Sequence, residues 1–111
     1  MALIDEKCQP PRGDARPLSS KDAENLLREV PDWTLRGDRI ERAFKFSDFK
    51  EAMRFVNHIA EAAEEEGHHP DIQISYNKVK LDLSTHKIGG LSRNDFILAA
   101  KIDALLGAAV A

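Results

Sequence analysis

Gly67-His68-His69-Pro70-Asp71-Ile72-Gln73-Ile74-Ser75-Tyr76-Asn77-Lys78-Val79-Lys80-Leu81-Asp82-Leu83 is the stretch on which the fold turns. Gly67 can take the left-handed backbone that ends a helix, and Pro70 cannot continue one. Ile72, Ile74 and Tyr76 then alternate with polar residues. After Asn77-Lys78, Val79, Leu81 and Leu83 alternate with Lys80, Asp82 and Ser84. A period of two marks strands with one buried face, so the spacing predicts a hairpin closed by a two-residue loop at Asn77-Lys78.

Upstream, Phe49, Ala52, Met53, Val56, Ile59, Ala60 and Ala63 recur at helical spacing behind the capping pair Ser47-Asp48. That helix ends at Gly67. Further back, Trp33 and Leu35, the turn Gly37-Asp38, and Ile40, Phe44 and Phe46 repeat the hairpin pattern. Ala23, Leu26, Leu27 and Val30 form a first helical stripe behind Ser19-Ser20, stopped by Pro31. Downstream, Gly89-Gly90 break the chain, and Ser92 with Asp95 forms a capping box for a last helix to about Leu106. The order is α-β-β-α-β-β-α. Two amphipathic hairpins predict one α+β domain, a four-stranded antiparallel sheet with helices packed on one face. Residues 1–17, with Pro10, Pro11, Gly13 and Pro17 and no apolar period, read as a flexible N-terminal tail before a domain at 18–111.

A chain of 111 residues leaves no room for a second core, and 42% apolar with 32% charged residues excludes wholesale disorder. No apolar run approaches the roughly 20 residues of a membrane span, and the first residues do not resemble a signal peptide. A net charge of -3 without a basic cluster argues against direct nucleic-acid binding. Cys8, the one cysteine, can make neither an internal disulfide nor a thiolate cage, which fits a reducing, cytoplasmic setting. In the last helix Phe96, Ile97, Leu98, Ala99, Ala100, Ile102, Ala104, Leu105 and Leu106 surround most of the axis. Such a helix is either buried all round or covered by a second copy, and the small domain favours a homo-oligomer, dimer or tetramer.

The chemistry-bearing residues gather at element ends. His68 and His69 follow the helix-ending Gly67, and His86 lies where the fourth strand runs out; His58 falls opposite the apolar stripe and reads as exposed. Glu64, Glu65 and Glu66 stand at the negative end of their helix, against the dipole rule. Glu64 is nearest the apolar stripe and best able to turn inward, whereas Glu65 and Glu66 read as a solvated run. From spacing alone, surface histidines, a zinc shell and a proton-transfer pair all stay open. Adjacent histidines diverge in an extended segment, which disfavours a shared ion, and imidazole titrates near neutrality.

The pattern E-x-x-x-H-H-P at Glu64–Pro70, Tyr76-Asn77-Lys78-Val79, Ser84-Thr85-His86, Gly89-Gly90-Leu91-Ser92 and Asp95 resembles the pterin-4a-carbinolamine dehydratase family. The resemblance runs from about Leu18 through Asp103 and includes Asp32-Trp33. It implies that His68 and His86 are acid/base groups, that His69 holds and orients the pterin, and that Glu64 supports the pair. It also places Trp33, Ser84, Thr85 and Asp95 near the pocket, although Trp33 reads equally as a core anchor, Ser84 and Thr85 as strand residues, and Asp95 as a capping acid. Animal members carry an aspartate before the histidine pair, where this chain has Gly67. The implied activity is that of a 4a-hydroxytetrahydrobiopterin dehydratase, needing no metal and no cofactor. It dehydrates the 4a-carbinolamine to quinonoid dihydropterin during tetrahydropterin recycling, downstream of an aromatic amino-acid hydroxylase. The alternatives are a non-enzymatic pterin-binding or coactivator-like dimerisation module, or a paralogue serving molybdopterin metabolism.

Overall fold

Each helix and hairpin starts where a polar cap or turn residue allows it. In this computed structural model, which describes residues 2–110, α1 (Ser20–Leu27) is capped by Ser19, whose side chain accepts from the Asp22 N–H. Met1 and Ala111, the outermost residues of the expected tail and domain, lie outside the described residues. Strands β1 (Thr34–Arg36) and β2 (Arg39–Lys45) follow, then α2 (Phe49–Glu66), capped by Asp48 through the Glu51 N–H at 2.9 Å and ended by Gly67 at φ 67°. Next come β3 (Asp71–Ser75), β4 (Lys78–Leu83), a 3-10 turn at His86–Ile88 and α3 (Arg93–Val110). The single α+β domain has the expected order, and α1 ends earlier than its apolar stripe suggested.

The sheet runs β1-β2-β4-β3, antiparallel throughout. Ile40 lies opposite Leu83 and Phe44 opposite Val79, which puts the apolar residues of the central strands on one face. Phe55 and Ile59 from α2 and Phe96 and Ile102 from α3 cover that face and are fully buried. Each such side chain contributes on the order of 1.5–3 kcal/mol by burial. The other face carries charge, with Glu41 accepting from Arg36 at 2.9 Å and lying 3.3 Å from Lys80.

Three sequence expectations shift. The second hairpin turns at Tyr76-Asn77, one residue earlier than expected, because Ser75 pairs with Lys78 and Tyr76 takes φ 51°. The Asn77 side chain donates to the Phe46 carbonyl, and its own carbonyl accepts from the Phe46 N–H, which holds this turn to the end of β2. The second change concerns α3. Phe96, Ile97, Leu98, Ala99 and Ile102 are all buried, because α2, α1 and the 3-10 turn at Leu3–Asp5 pack around the helix. The chain itself thus covers the first half of the helix, while Ala100, Leu105 and Leu106 are half-buried and Ala104 is exposed. Leu3 is buried in the core, so the segment read as a tail lies against the domain.

Candidate active site

The end of α2, the end of β4 and the start of α3 converge, and each contributes a group. At the end of α2, the N–H groups of Gly67 and His68 both donate to the Ala63 carbonyl, and the left-handed Gly67 swings the chain under α3. There His68 Nε2 meets Asp95 Oδ1 at 2.6 Å. Asp95 is 0% exposed, yet each of its oxygens is engaged. Oδ2 accepts from the Ser92 N–H and from the Thr85 hydroxyl, both at 2.9 Å, and the Thr85 and Ser92 hydroxyls lie 2.7 Å apart. The acid half of the expected capping box is therefore present, while the Asp95 N–H donates to the Ser92 carbonyl and the Ser92 hydroxyl turns to Thr85, and the acid does a second job. A carboxylate only accepts, so the network assigns the ring proton of His68 to Nε2 and leaves Nδ1 as the free basic nitrogen.

His69 Nε2 lies 2.5 Å from Glu64 Oε2, and both side chains are exposed. His86 opens the 3-10 turn, is exposed, and comes only within 4.0 Å of Asp71. All three histidines, with Ser84 and Thr85, line one cleft of about 340 Å³, a volume suited to a small ligand. Ser84 also donates to the Asp38 carbonyl at 2.8 Å. His58 lies on the exposed side of α2. Among the described residues no cluster of three or more His, Cys, Asp or Glu side chains is placed to hold a metal ion.

One expected member sits elsewhere. Trp33 is 2% exposed and lines no part of the cleft; its indole N–H donates to Asp103 Oδ1 at 2.8 Å, and its ring stands edge-on to Phe44. Arg42 donates to the same Asp103 oxygen at 2.7 Å, so Trp33 belongs to a brace between sheet and helix. Burial pushes the Asp103 carboxyl above its ordinary value, against the hydrogen bond from Trp33 and the charge of Arg42. Among the glutamates, Glu66 and not Glu64 turns inward. Its side chain is 4% exposed and accepts from Lys101 Nζ at 2.8 Å and from the Cys8 N–H at 2.9 Å. Burial alone would raise its carboxyl, but these donors outweigh burial and hold it below the ordinary range.

The sequence reading missed the wall made by Cys8, Gln9, Pro10 and Pro11, which line the cleft beside the histidines. Burial, with the Glu66 charge next in weight, pushes the Cys8 thiol up to about 12. No periodic signal announces this segment; the short apolar run Ala2-Leu3-Ile4 was the one available hint.

Comparison with known proteins agrees with the fold. Residues 16–105 match the family described as pterin 4 alpha carbinolamine dehydratase. A relative from Acidobacterium capsulatum is 55% identical over 89 residues, 80% of this chain and 97% of its own. One from Halorhodospira halophila is 49% identical over 107 residues, 95% of this chain and 98% of its own. Both are provisionally named pterin-4-alpha-carbinolamine dehydratases. A crystal structure from Brucella melitensis, titled a transcriptional coactivator/pterin dehydratase, superposes with a TM-score of 0.77 at 33% identity. It covers 81% of this chain and 98% of its own.

Proposed function

The chain belongs to the pterin 4 alpha carbinolamine dehydratase family, and on that premise we propose that it removes water from a 4a-hydroxytetrahydropterin by histidine acid/base catalysis. The observation that carries the reading is the buried Asp95 carboxylate behind His68, on a cleft that His69 and His86 also line. Hydroxide is a poor leaving group, and proton donation to the departing oxygen lowers the barrier. His86, as imidazolium, donates to the C4a hydroxyl while the C–O bond breaks and water departs. His68 Nδ1 takes the N5 proton, giving the quinonoid dihydropterin, and Asp95 stabilises the imidazolium that forms. Each imidazole then holds the other's starting charge, and proton exchange with solvent resets both. His69, steadied by Glu64, positions the ring system; Thr85 and Ser84 shape the wall. No cofactor enters these steps. The quinonoid product is a substrate for reduction, which supports a recycling role beside an aromatic amino-acid hydroxylase, in the cytoplasm.

Replacement of His68 or His86 by Ala should lower kcat for dehydration by about 10²-fold or more above the uncatalysed background. Replacement of His69 should mainly raise KM. If all three variants match the parent, the assignment fails. The name of the Brucella relative favours one second reading, a protein-binding module. On that reading the parent would show negligible dehydration, and the same variants would leave partner binding intact. Homo-oligomeric assembly remains part of the proposal but moves to another surface. The outer edge of β3 is unpaired among the described residues, and Ile74 and Tyr76 are 41% and 64% exposed, so a second copy can pair there.

A further inference from the structure

The cleft has a wall that the reaction above does not use. Residues 6–11 cross its mouth as a strap, fastened at several successive points. Glu6 receives two hydrogen bonds from Arg93, at 2.7 and 2.6 Å. The Cys8 N–H donates to the buried Glu66 carboxylate. The Asn94 side chain accepts from the Gln9 N–H at 2.9 Å and donates to the Gln9 carbonyl at 2.6 Å, the reciprocal pair that a neighbouring strand would offer. Ordering a backbone residue costs roughly 1–2 kcal/mol, so a proline-rich segment stays in place only where such bonds offset that cost. The anchors also have a meaningful position: Glu66 is two residues before His68, and Asn94 immediately precedes Asp95.

Beyond the anchors, Pro10 and Pro11 line the cleft. The histidines, Ser84 and Lys87 on the rest of its lining offer polar edges for heteroatoms. A flat bicyclic ring also needs an apolar surface for its face, and two prolyl rings supply one with little side-chain entropy to lose. We propose that Pro10 and Pro11 are specificity-determining residues, the apolar wall against which the face of the pterin ring packs, held in position by Asn94 and Glu66. This rests on the pterin reading of the cleft. It adds an element that precedes residues 16–105, the stretch matched to the family.

The test uses the full chain, with P10G/P11G and Asn94→Ala as variants. Three quantities are read: KM and kcat for dehydration, Kd for an oxidised, non-reacting pterin from its fluorescence, and the rate at which an aromatic disulfide reagent labels Cys8. The double variant should raise both KM and Kd about tenfold, with kcat within about threefold. Asn94→Ala should raise them too and should release Cys8. A thiol brought from about 12 to its ordinary 9.0 gains about 10³ in thiolate fraction. The lower nucleophilicity of the less basic thiolate takes back part of this, leaving about 50-fold in labelling rate. If KM and Kd stay at parent values in P10G/P11G while the parent dehydrates, the wall is refuted and the dehydratase reading stands. If the parent binds the pterin, the variants weaken binding and nothing dehydrates, the wall stands and the dehydratase reading falls. A parent that neither binds nor dehydrates overturns both.

Discussion

Replacing Asp95 with Asn changes one atom at the most constrained position of the site, and its effect follows from counting donors. Asp95 Oδ2 accepts from the Ser92 N–H and the Thr85 hydroxyl, and Oδ1 faces His68 Nε2. An asparagine has one accepting oxygen and one donating NH₂. The Ser92 N–H can only donate, so the amide oxygen stays on the Oδ2 side and the NH₂ is turned toward His68. Two donors cannot share that 2.6 Å contact. The imidazole must therefore move its proton from Nε2 to Nδ1, the nitrogen that takes the substrate proton in the proposed mechanism. A base that already carries its proton is lost to the reaction.

The helix cap survives this change, which separates chemistry from stability. Loss of a charged hydrogen bond to a buried group costs on the order of 1–3 kcal/mol, a modest fall in Tm. Loss of the general base costs about 10²–10⁴-fold in kcat, or roughly 3–5 kcal/mol of barrier. Asp95→Asn should therefore fold, melt a few degrees below the parent, and lose at least about 10²-fold in kcat at neutral pH after subtraction of uncatalysed dehydration. Asp95→Ala, which also deletes the cap, should melt lower still. An Asp95→Asn protein with kcat within about threefold of the parent would refute the Asp95-held tautomer of His68 as a requirement of the reaction.

Glu66 makes docking of the strap sensitive to acid. Its carboxyl lies below 4.5 when folded, since Lys101 and the Cys8 N–H favour the charged form over the opposing effect of burial. Its contribution is thus complete above pH 4.5 and is lost as pH falls through the folded value. The Tm advantage of the parent over Glu66→Gln should be constant above that pH and close below it; a gap unchanged into stronger acid would count against the anchor. Glu6, held low by Arg93, titrates in the same direction in both proteins and cancels from the comparison. For assembly, sedimentation should give an oligomer at micromolar concentration that Ile74→Lys dissociates, and a stable parent monomer would remove the proposed β3 edge contact.

The sequence made the fold legible where a single period ran undisturbed between breakers. Ile40, Phe44 and Phe46, and Val79, Leu81 and Leu83, show which face of the central strands is inside, and Asp48 and Gly67 bound α2 by cap and left-handed turn. The β3–β4 turn was displaced by one residue because Asn77 is held by Phe46, a contact 31 residues away that no local pattern encodes. At the site, clustering at element ends together with the resemblance brought His68, His69, His86, Ser84 and Thr85 to one cleft. Angular position on α2 failed for Glu64 and Glu66. Helical spacing locates a residue relative to the sheet-facing stripe, but Glu66 is buried by the strap and Lys101, which approach from outside that stripe. Trp33 was misplaced for a related reason: an aromatic before a strand has no sequence mark that separates a pocket from a core, and Asp103, which satisfies its N–H, lies 70 residues on.

The strap and the cap together explain why this site sits at the start of α3. A carboxylate buried behind a histidine needs donors on every lone pair it turns away from water. The first turn of a helix supplies free N–H groups and the positive end of a dipole at the one place where backbone donors are left over. Asp95 therefore finds hydrogen-bond partners for both oxygens under full burial because it also caps α3, and it orients His68 because the left-handed Gly67 delivers the end of α2 to the same spot. Asn94, one residue earlier on that exposed first turn, is free to bind Gln9 and bring the strap across the cleft. A change that frays this single turn should thus release the cap, the histidine and the wall together. In Ser92→Gly the Thr85 hydroxyl loses the Ser92 hydroxyl but keeps Asp95, and the backbone N–H contact from position 92 to Asp95 is kept, so the milder defect should be seen first in kcat and only later in Tm.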